Sequence, residues 1–260
     1  MTRRLRRLNS VSESKRFNLH IRVTRTRSYQ RFPHYSLRQS GFLADSWAAV
    51  VLIIVNIGIF FYFRYQGGLP LDWVLFPHHL LDGHLAPLVT SGFLHADFVH
   101  LAMNMLGIFI FGRITERHLG TLKTFFIYFG SLAISMFCST VIYVFFMHKD
   151  VAVIGASGSV MGLMAAAVLL DPFCVTYEMI LPLPVMIKGW MFLYADIRGF
   201  LGGETDGVSH LAHLCGFLSI GLLVYFLSAR DKSTMRAGLW INIYSFFIFF
   251  LFYLWIRPGL

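Results

Sequence analysis

The sequence predicts an all-α membrane protein, a polytopic bundle of about seven transmembrane helices. Of its 260 residues, 57% are hydrophobic and 13% are charged, whereas a soluble domain carries about 25% charged residues. The chain also contains seven apolar runs close to the roughly 20 residues that a helix needs to cross a bilayer. These runs are 47–63, 98–111, 122–147, 151–170, 179–194, 208–227 and 239–256.

Residues 1–42 precede the first apolar run and differ from the rest of the chain. Within the first forty residues, ten arginines and Lys15 stand against one acid, Glu13, and the apolar core of a secretory signal is missing. Two interpretations remain open: a mitochondrial targeting segment, or a basic N-terminal tail that the positive-inside rule holds inside a bacterial membrane. Nucleic acid is not an expected partner, because half of the lysines and arginines lie in this tail beside a membrane.

Residues 43–260 are predicted to form one transmembrane domain, with an extra helix at its C-terminal end. We expect an integral membrane protein of the bacterial cytoplasmic membrane, with the mitochondrial inner membrane as the alternative. Basic clusters follow the second and the sixth run: Arg113, Arg117, Lys123, Arg230, Lys232 and Arg236. These loops should lie on the inner side with the N-terminus, so that runs two, four and six begin on the outer side.

Polar side chains stand at these three outer starts. His100 and Asn104 are four residues apart, and therefore on one helical face, at the start of the second run. Ser157 opens the fourth run, and His213 lies about five residues into the sixth. Because an unpartnered polar group is costly in hydrocarbon, these residues are expected to meet or to line a wet cavity. Together they offer a nucleophile, a general base and oxyanion donors, which are the groups that acyl transfer requires.

Glycines around the serine and in the sixth run suit this arrangement. Gly155 and Gly158 allow the backbone to bend tightly around Ser157 and allow a substrate carbonyl to approach it. Gly158, Gly162 and Gly216 offer flat faces on which the fourth and sixth helices can pack closely. Close packing of these helices would bring Ser157 within hydrogen-bond distance of His213.

Between about residues 77 and 227, the chain resembles the rhomboid intramembrane serine proteases. The family's G-x-S-G occurs as Gly155-Ala156-Ser157-Gly158, and its A-H-x-x-G occurs at 212–216 as Ala-His-Leu-Cys-Gly. The H-x-x-x-N motif runs from His100 to Asn104, and "FGRITERHLG" at 111–120 is similar to the family's Glu-Arg loop after the second span.

The resemblance implies roles for these residues. Ser157 would be the catalytic nucleophile and His213 the general base, while His100, Asn104 and Gly155 would help to stabilise the oxyanion and the substrate. Two neighbouring residues would support the catalytic side chains without reacting themselves. They are His210, which lies three residues before His213, and Met161, which stands where many members carry an aromatic ring against the histidine.

The activity implied is a serine endopeptidase with a six-plus-one helix arrangement, which cleaves transmembrane protein substrates near the outer side of the lipid bilayer. Neither a cofactor nor a metal is expected. The alternative is a rhomboid-like protein that binds transmembrane helices without cutting them. A zinc protease is not expected because the sequence has no H-E-x-x-H. The pair His210-x-x-His213 has metal-binding spacing, but no carboxylate or thiolate is expected to point at it.

Overall fold

The computed structural model describes residues 46–177, 182–203 and 207–257. The predicted basic tail, residues 1–42, lies outside this range, and so does the beginning of the fifth apolar run at 179. The division of the chain at residue 42 therefore stays a prediction.

The described residues form a helical bundle. Its main helices are α1 (Trp47–Tyr65), α2 (Phe98–Leu119), α3 (Thr121–Met147), α4 (Ser157–Leu170), α5 (Val185–Leu201), α6 (His210–Phe226) and α7 (Ala229–Ile256). Of these, α1, α2, α3 and α7 are long and apolar enough to cross a membrane. At 1.5 Å per residue, the 19 residues of α1 already extend about 28 Å, close to the thickness of a hydrocarbon core. The polytopic all-α fold is confirmed, whereas the number of about seven spans stays a prediction.

The short helix α4 lies at the centre of the bundle. Eleven of its 14 residues are buried, and it packs against α3, α6 and α7. In contrast, only 6% of the apolar window of α7 is buried, as expected for a helix whose side chains face lipid. The catalytic candidate at the start of α4 is therefore held by neighbours on several sides.

Small residues explain how closely the helices approach α4. A Cβ atom added to Gly216 of α6 would clash with the backbone carbonyl of Gly158 in α4, so the two backbones are in direct contact. A Cβ on Gly158 would clash with Ser135 of α3, and one on Gly162 with Ser131. The predicted close packing of the fourth and sixth helices is thereby confirmed.

The fourth helix begins later than its apolar run at 151–170. Val153 forms an isolated antiparallel bridge with Leu75, and Gly155 has a φ of 114°, a left-handed conformation that suits glycine. The chain is therefore extended up to this glycine, and the helix starts at Ser157.

Basic residues predicted to lie in the loop after the second run lie in helices instead. α2 continues to Leu119 and so includes Arg113 and Arg117. Arg117 lies in the last turn, where positive charge is favourable. Lys123 lies in the first turn of α3 and forms an ion pair with Asp231 in the first turn of α7. The predicted grouping of these charges at one end of the bundle is consistent with that contact.

The sixth helix starts at His210 rather than at 208, because Ser209 caps it by accepting a hydrogen bond from Ala212 N. His213 therefore lies in the first turn, nearer to the helix start than the sequence suggested.

The fifth and seventh helices also differ from their runs. α5 continues to Leu201 instead of ending at 194. α7 begins at Ala229 instead of 239, because Ser228 and Asp231 form a reciprocal capping box.

The connections contain small elements that the sequence analysis did not predict. Between α1 and α2 lie two short helices and two 3-10 turns: Leu71–Trp73, His78–Leu81, Pro87–Thr90 and Ser91–Phe93. Before α5, the strands β1 (Val175–Thr176) and β2 (Leu183–Pro184) pair antiparallel, with Thr176 opposite Leu183.

The buried Glu116 of α2 connects three helices. Its carboxylate accepts hydrogen bonds from Ala48 N at 2.9 Å and Ala49 N at 3.3 Å in the first turn of α1. It also accepts one from Thr121 Oγ1 at 2.7 Å at the start of α3. A negative charge at a helix N-terminus satisfies amides that have no partner within the helix. This contact fixes the position of α1 beside α2.

We expect Glu116→Ala to destabilise the protein by about 2 kcal/mol or more, because buried amides lose a charged acceptor. The measurement is the midpoint of thermal denaturation in detergent. Glu116→Gln keeps one acceptor oxygen, so its loss of stability should be smaller. An unchanged midpoint in Glu116→Ala would contradict this role.

Candidate active site

A cavity of about 430 Å³ opens at the starts of α2, α4 and α6. Polar side chains from all three helices line it, and the remaining wall is largely apolar. The predicted site residues in this lining are His100, Asn104, Ser157, Met161 and His213. Residues that are far apart in the sequence therefore line one cavity.

Ser157 is the first residue of α4 and is half-buried at the cavity wall. The turn before it is fixed by Gly155, whose N–H donates to Ser91 O at 2.9 Å. Within the described part of the chain, no hydrogen bond joins the Ser157 hydroxyl to His213. Catalytic hydrogen bonds are often long without substrate and shorten in the substrate complex.

A carboxylate on the neighbouring helix α5 contacts the His213 ring. Its Nδ1 lies 2.8 Å from Oδ1 of Asp196 in α5, and Nδ1 of His210 lies 2.8 Å from the same oxygen. Asp196 is 5% exposed. Because a carboxylate only accepts hydrogen bonds, both ring nitrogens donate to it. This leaves Nε2 of His213 as the nitrogen that can accept a proton.

His100 and Asn104 of α2 line the same cavity. Asp97 caps α2 by accepting a hydrogen bond from His100 N at 2.8 Å, which fixes the helix start. A Cβ on Gly155 would lie 2.6 Å from His100 Nε2, so the imidazole packs directly on the glycine before the serine turn. The Asn104 amide donates to His100 O at 2.9 Å and faces the cavity.

His95, in the connection before α2, supports His100. It is 1% exposed, and its ring lies edge-on to that of His100 with 5.0 Å between centroids. Burial, and then the neighbouring His100, lower the pKa of His95 to about 4. The ring is therefore neutral at pH 7 and adds no charge to the wall.

The other predicted site residues lie close to this cavity. Gly155 contacts His100 from outside the cavity lining, and His210 is buried and contacts Asp196. The expectation that no carboxylate points at His210 and His213 is wrong, because Asp196 does. These three side chains could supply metal ligands, since their ligand atoms lie within 4.8 Å of one another.

Asp97 and Asp196 are the residues of this region that the sequence analysis missed. Asp97 had a local signal, because an aspartate directly before an apolar helix is a typical N-cap. Asp196 lies just beyond the predicted end of the fifth run. A charged side chain beside a membrane segment is energetically unfavourable, so an acid at such a position is a candidate functional residue. This was the signal that the sequence offered for Asp196.

The family model described as Rhomboid domain matches residues 82–231, which is more than half of the chain. RHOMBOID-like protein 12, mitochondrial, from Arabidopsis thaliana is 28% identical over 196 residues, and the match covers 67% of this chain and 56% of that protein.

Two bacterial proteins are similar as well. The putative rhomboid protease YdcA of Bacillus subtilis is 30% identical over 151 residues, which cover 58% of this chain and 71% of that protein. The rhomboid protease GlpG of Photorhabdus laumondii is 29% identical over 102 residues, which cover 39% of this chain and 34% of that protein. The chain is an integral membrane protein, and it belongs to the rhomboid family.

Proposed function

We propose that this protein is an intramembrane serine endopeptidase that cleaves transmembrane substrates near the outer side of the membrane. The observation that carries the proposal is the meeting of Ser157, His213, His100 and Asn104 around one cavity. Each of these polar groups is costly in a membrane protein interior, and acyl transfer uses all of them.

The reaction follows from the chemistry of these groups. His213 Nε2 takes the proton of the Ser157 hydroxyl while Oγ attacks the scissile carbonyl carbon. The resulting imidazolium gives this proton to the leaving amine as the carbon–nitrogen bond breaks. Water, deprotonated by the same imidazole, then hydrolyses the acyl-enzyme ester and restores the serine.

The oxyanion of the tetrahedral intermediate needs hydrogen-bond donors. The Ser157 N–H at the start of α4, the Asn104 amide and the His100 imidazole lie on the walls around the reacting hydroxyl. Gly155 keeps this side open, because a side chain there would collide with His100. Donors fixed in a cavity stabilise developing charge without reorganisation.

The substrate is a membrane helix that unwinds locally. In a regular helix, each carbonyl is hydrogen-bonded within the helix and surrounded by side chains, so Ser157 cannot attack it. Small or helix-weakening residues near the outer end of the substrate span should favour cutting. We propose the bacterial cytoplasmic membrane as the location, with the mitochondrial inner membrane as the alternative. The relatives include mitochondrial, chloroplastic and bacterial proteins.

A fluorophosphonate probe tests the proposal. An activated serine should be labelled in purified protein, and mass spectrometry should locate the label on Ser157. The alternative, a rhomboid-like binder of transmembrane helices, predicts no labelling and unchanged capture of a helix in Ser157→Ala. It draws support from the missing hydrogen bond between Ser157 and His213. A label on another residue would reject the proposed nucleophile.

We expect Asn104→Ala to lower kcat by about tenfold to a few hundredfold with little change in KM, because the amide acts mainly in the transition state and other donors remain. The measurement is steady-state cleavage of a transmembrane substrate. Asn242→Ala is the matched control, since this buried amide donates to Val168 O outside the cavity. Full activity in Asn104→Ala would reduce Asn104 to a structural residue.

A further inference from the structure

Asp196 is a buried acid in a helix of a membrane protein. It is 5% exposed and lies in α5, one helix before the histidine that it contacts. Burying a carboxylate is costly unless hydrogen bonds or opposite charges compensate. Its Oδ1 accepts two hydrogen bonds of 2.8 Å, from His210 and His213, and among the described residues Oδ2 has no hydrogen-bond partner.

We infer that Asp196 is a positioning residue for His213 and completes a Ser157–His213–Asp196 triad, an inference that rests on the proposed protease function. By accepting the Nδ1 proton, the carboxylate selects the tautomer whose Nε2 lone pair is available to Ser157. It also fixes the plane of the ring and stabilises the imidazolium that forms when the serine proton moves.

The surroundings of Asp196 are shaped for this contact. His210 lies one turn before His213 on α6 and donates to the same oxygen, which holds the carboxylate from a second direction. Gly199, three residues after Asp196 on α5, makes room for the His210 ring, because a Cβ there would clash with it.

A bound metal ion is the competing explanation for the same three side chains. Metal ligation through the nitrogens that face Asp196 would require the Nδ1 lone pairs of both histidines to point at an ion. Both nitrogens instead lie at hydrogen-bond distance from one oxygen, which is the geometry of two N–H donors and one acceptor. The geometry therefore favours positioning, and metal binding becomes an outcome of the test.

The test compares Asp196→Asn and Asp196→Glu with wild type in steady-state cleavage of a transmembrane substrate. In Asp196→Asn, kcat should fall on the order of 10²-fold or more while KM changes little, because an amide can donate to Nδ1 and stabilise the wrong tautomer. Asp196→Glu keeps the carboxylate and should recover part of kcat. Asp231→Asn is the matched control, since Asp231 is a buried acid outside the cavity lining.

If Asp196→Asn does not fold, nitrogen NMR of histidine-labelled wild type replaces it, with the His213 signal assigned by its loss in His213→Ala. A proton on Nδ1 of His213 is expected, and a proton on Nε2 in the neutral ring would overturn the inference. A kcat within about threefold of wild type in folded Asp196→Asn would overturn it as well and leave the proposed function intact. Stoichiometric Zn²⁺ binding that Asp196→Asn abolishes, with activity lost on chelation, would replace the triad by a metal site. If wild type does not cleave at all, the proposed function fails before the inference is reached.

Discussion

Replacing His213 by alanine is expected to lower kcat on the order of 10⁴-fold or more. Without the imidazole, the Ser157 hydroxyl keeps its proton at neutral pH and is a weak nucleophile, and the leaving amine has no acid. Removing the general base of a serine hydrolase lowers kcat about as much as removing all of its catalytic side chains, since these groups act as one unit. Labelling by the fluorophosphonate probe should fall in parallel with cleavage.

The control for this variant is His84→Ala, which removes an exposed histidine in the connection between α1 and α2. Its activity should match wild type, and thermal denaturation should establish that His213→Ala is folded. If folded His213→Ala is labelled and cleaves at the wild-type rate, His213 is not the general base.

Gly216→Val is expected to have the largest effect on the fold. The Gly216 Cα faces the α4 backbone, and an added Cβ would lie 2.9 Å from Gly158 Cα and clash with its carbonyl oxygen. Backbone atoms cannot move aside like the end of a side chain, so α6 must move away from α4. We expect a loss of stability of about 3 kcal/mol or more, together with most of the activity, because Ser157 and His213 lie on the separated helices.

Gly221→Ala provides a matched control on the same helix. A Cβ at Gly221 meets no atom within 4 Å, so this variant should keep the midpoint of thermal denaturation and the cleavage rate of wild type. The midpoint and the cleavage rate of Gly216→Ala should lie between those of Gly216→Val and Gly221→Ala. Equal midpoints for Gly216→Val and Gly221→Ala would contradict the close contact of α4 and α6.

The sequence predicted the helices better than their ends. Apolar runs predict helices because the lipid interior favours hydrophobic side chains, and each of the helices α1 to α7 overlaps a predicted run. Charged residues end an apolar run but do not end a helix whose polar groups have partners. α2 therefore continues past Arg113 to Leu119, where Glu116 finds its partners in the first turn of α1.

The predicted site residues could be found because motifs and helix starts depend on local sequence. Gly155 and Ser157 are two residues apart at the start of α4, and His100 and Asn104 share one face of α2, so spacing alone groups them. Asp196 could not be assigned in the same way. It lies 17 residues before His213, and the contact exists only because α5 packs beside α6.

In the proposed reaction, Ser157 hydrolyses peptide bonds of membrane helices. The most direct measurement is cleavage of a purified transmembrane substrate by the purified protein in liposomes, with Ser157→Ala and Ser159→Ala beside wild type. Ser159 is the matched control, because it is a buried serine on the same helix outside the cavity lining. We expect cut products with wild type and Ser159→Ala and none with Ser157→Ala. Equal cleavage by folded Ser157→Ala, or no cleavage by wild type of any membrane helix with a weakened outer end, would contradict it.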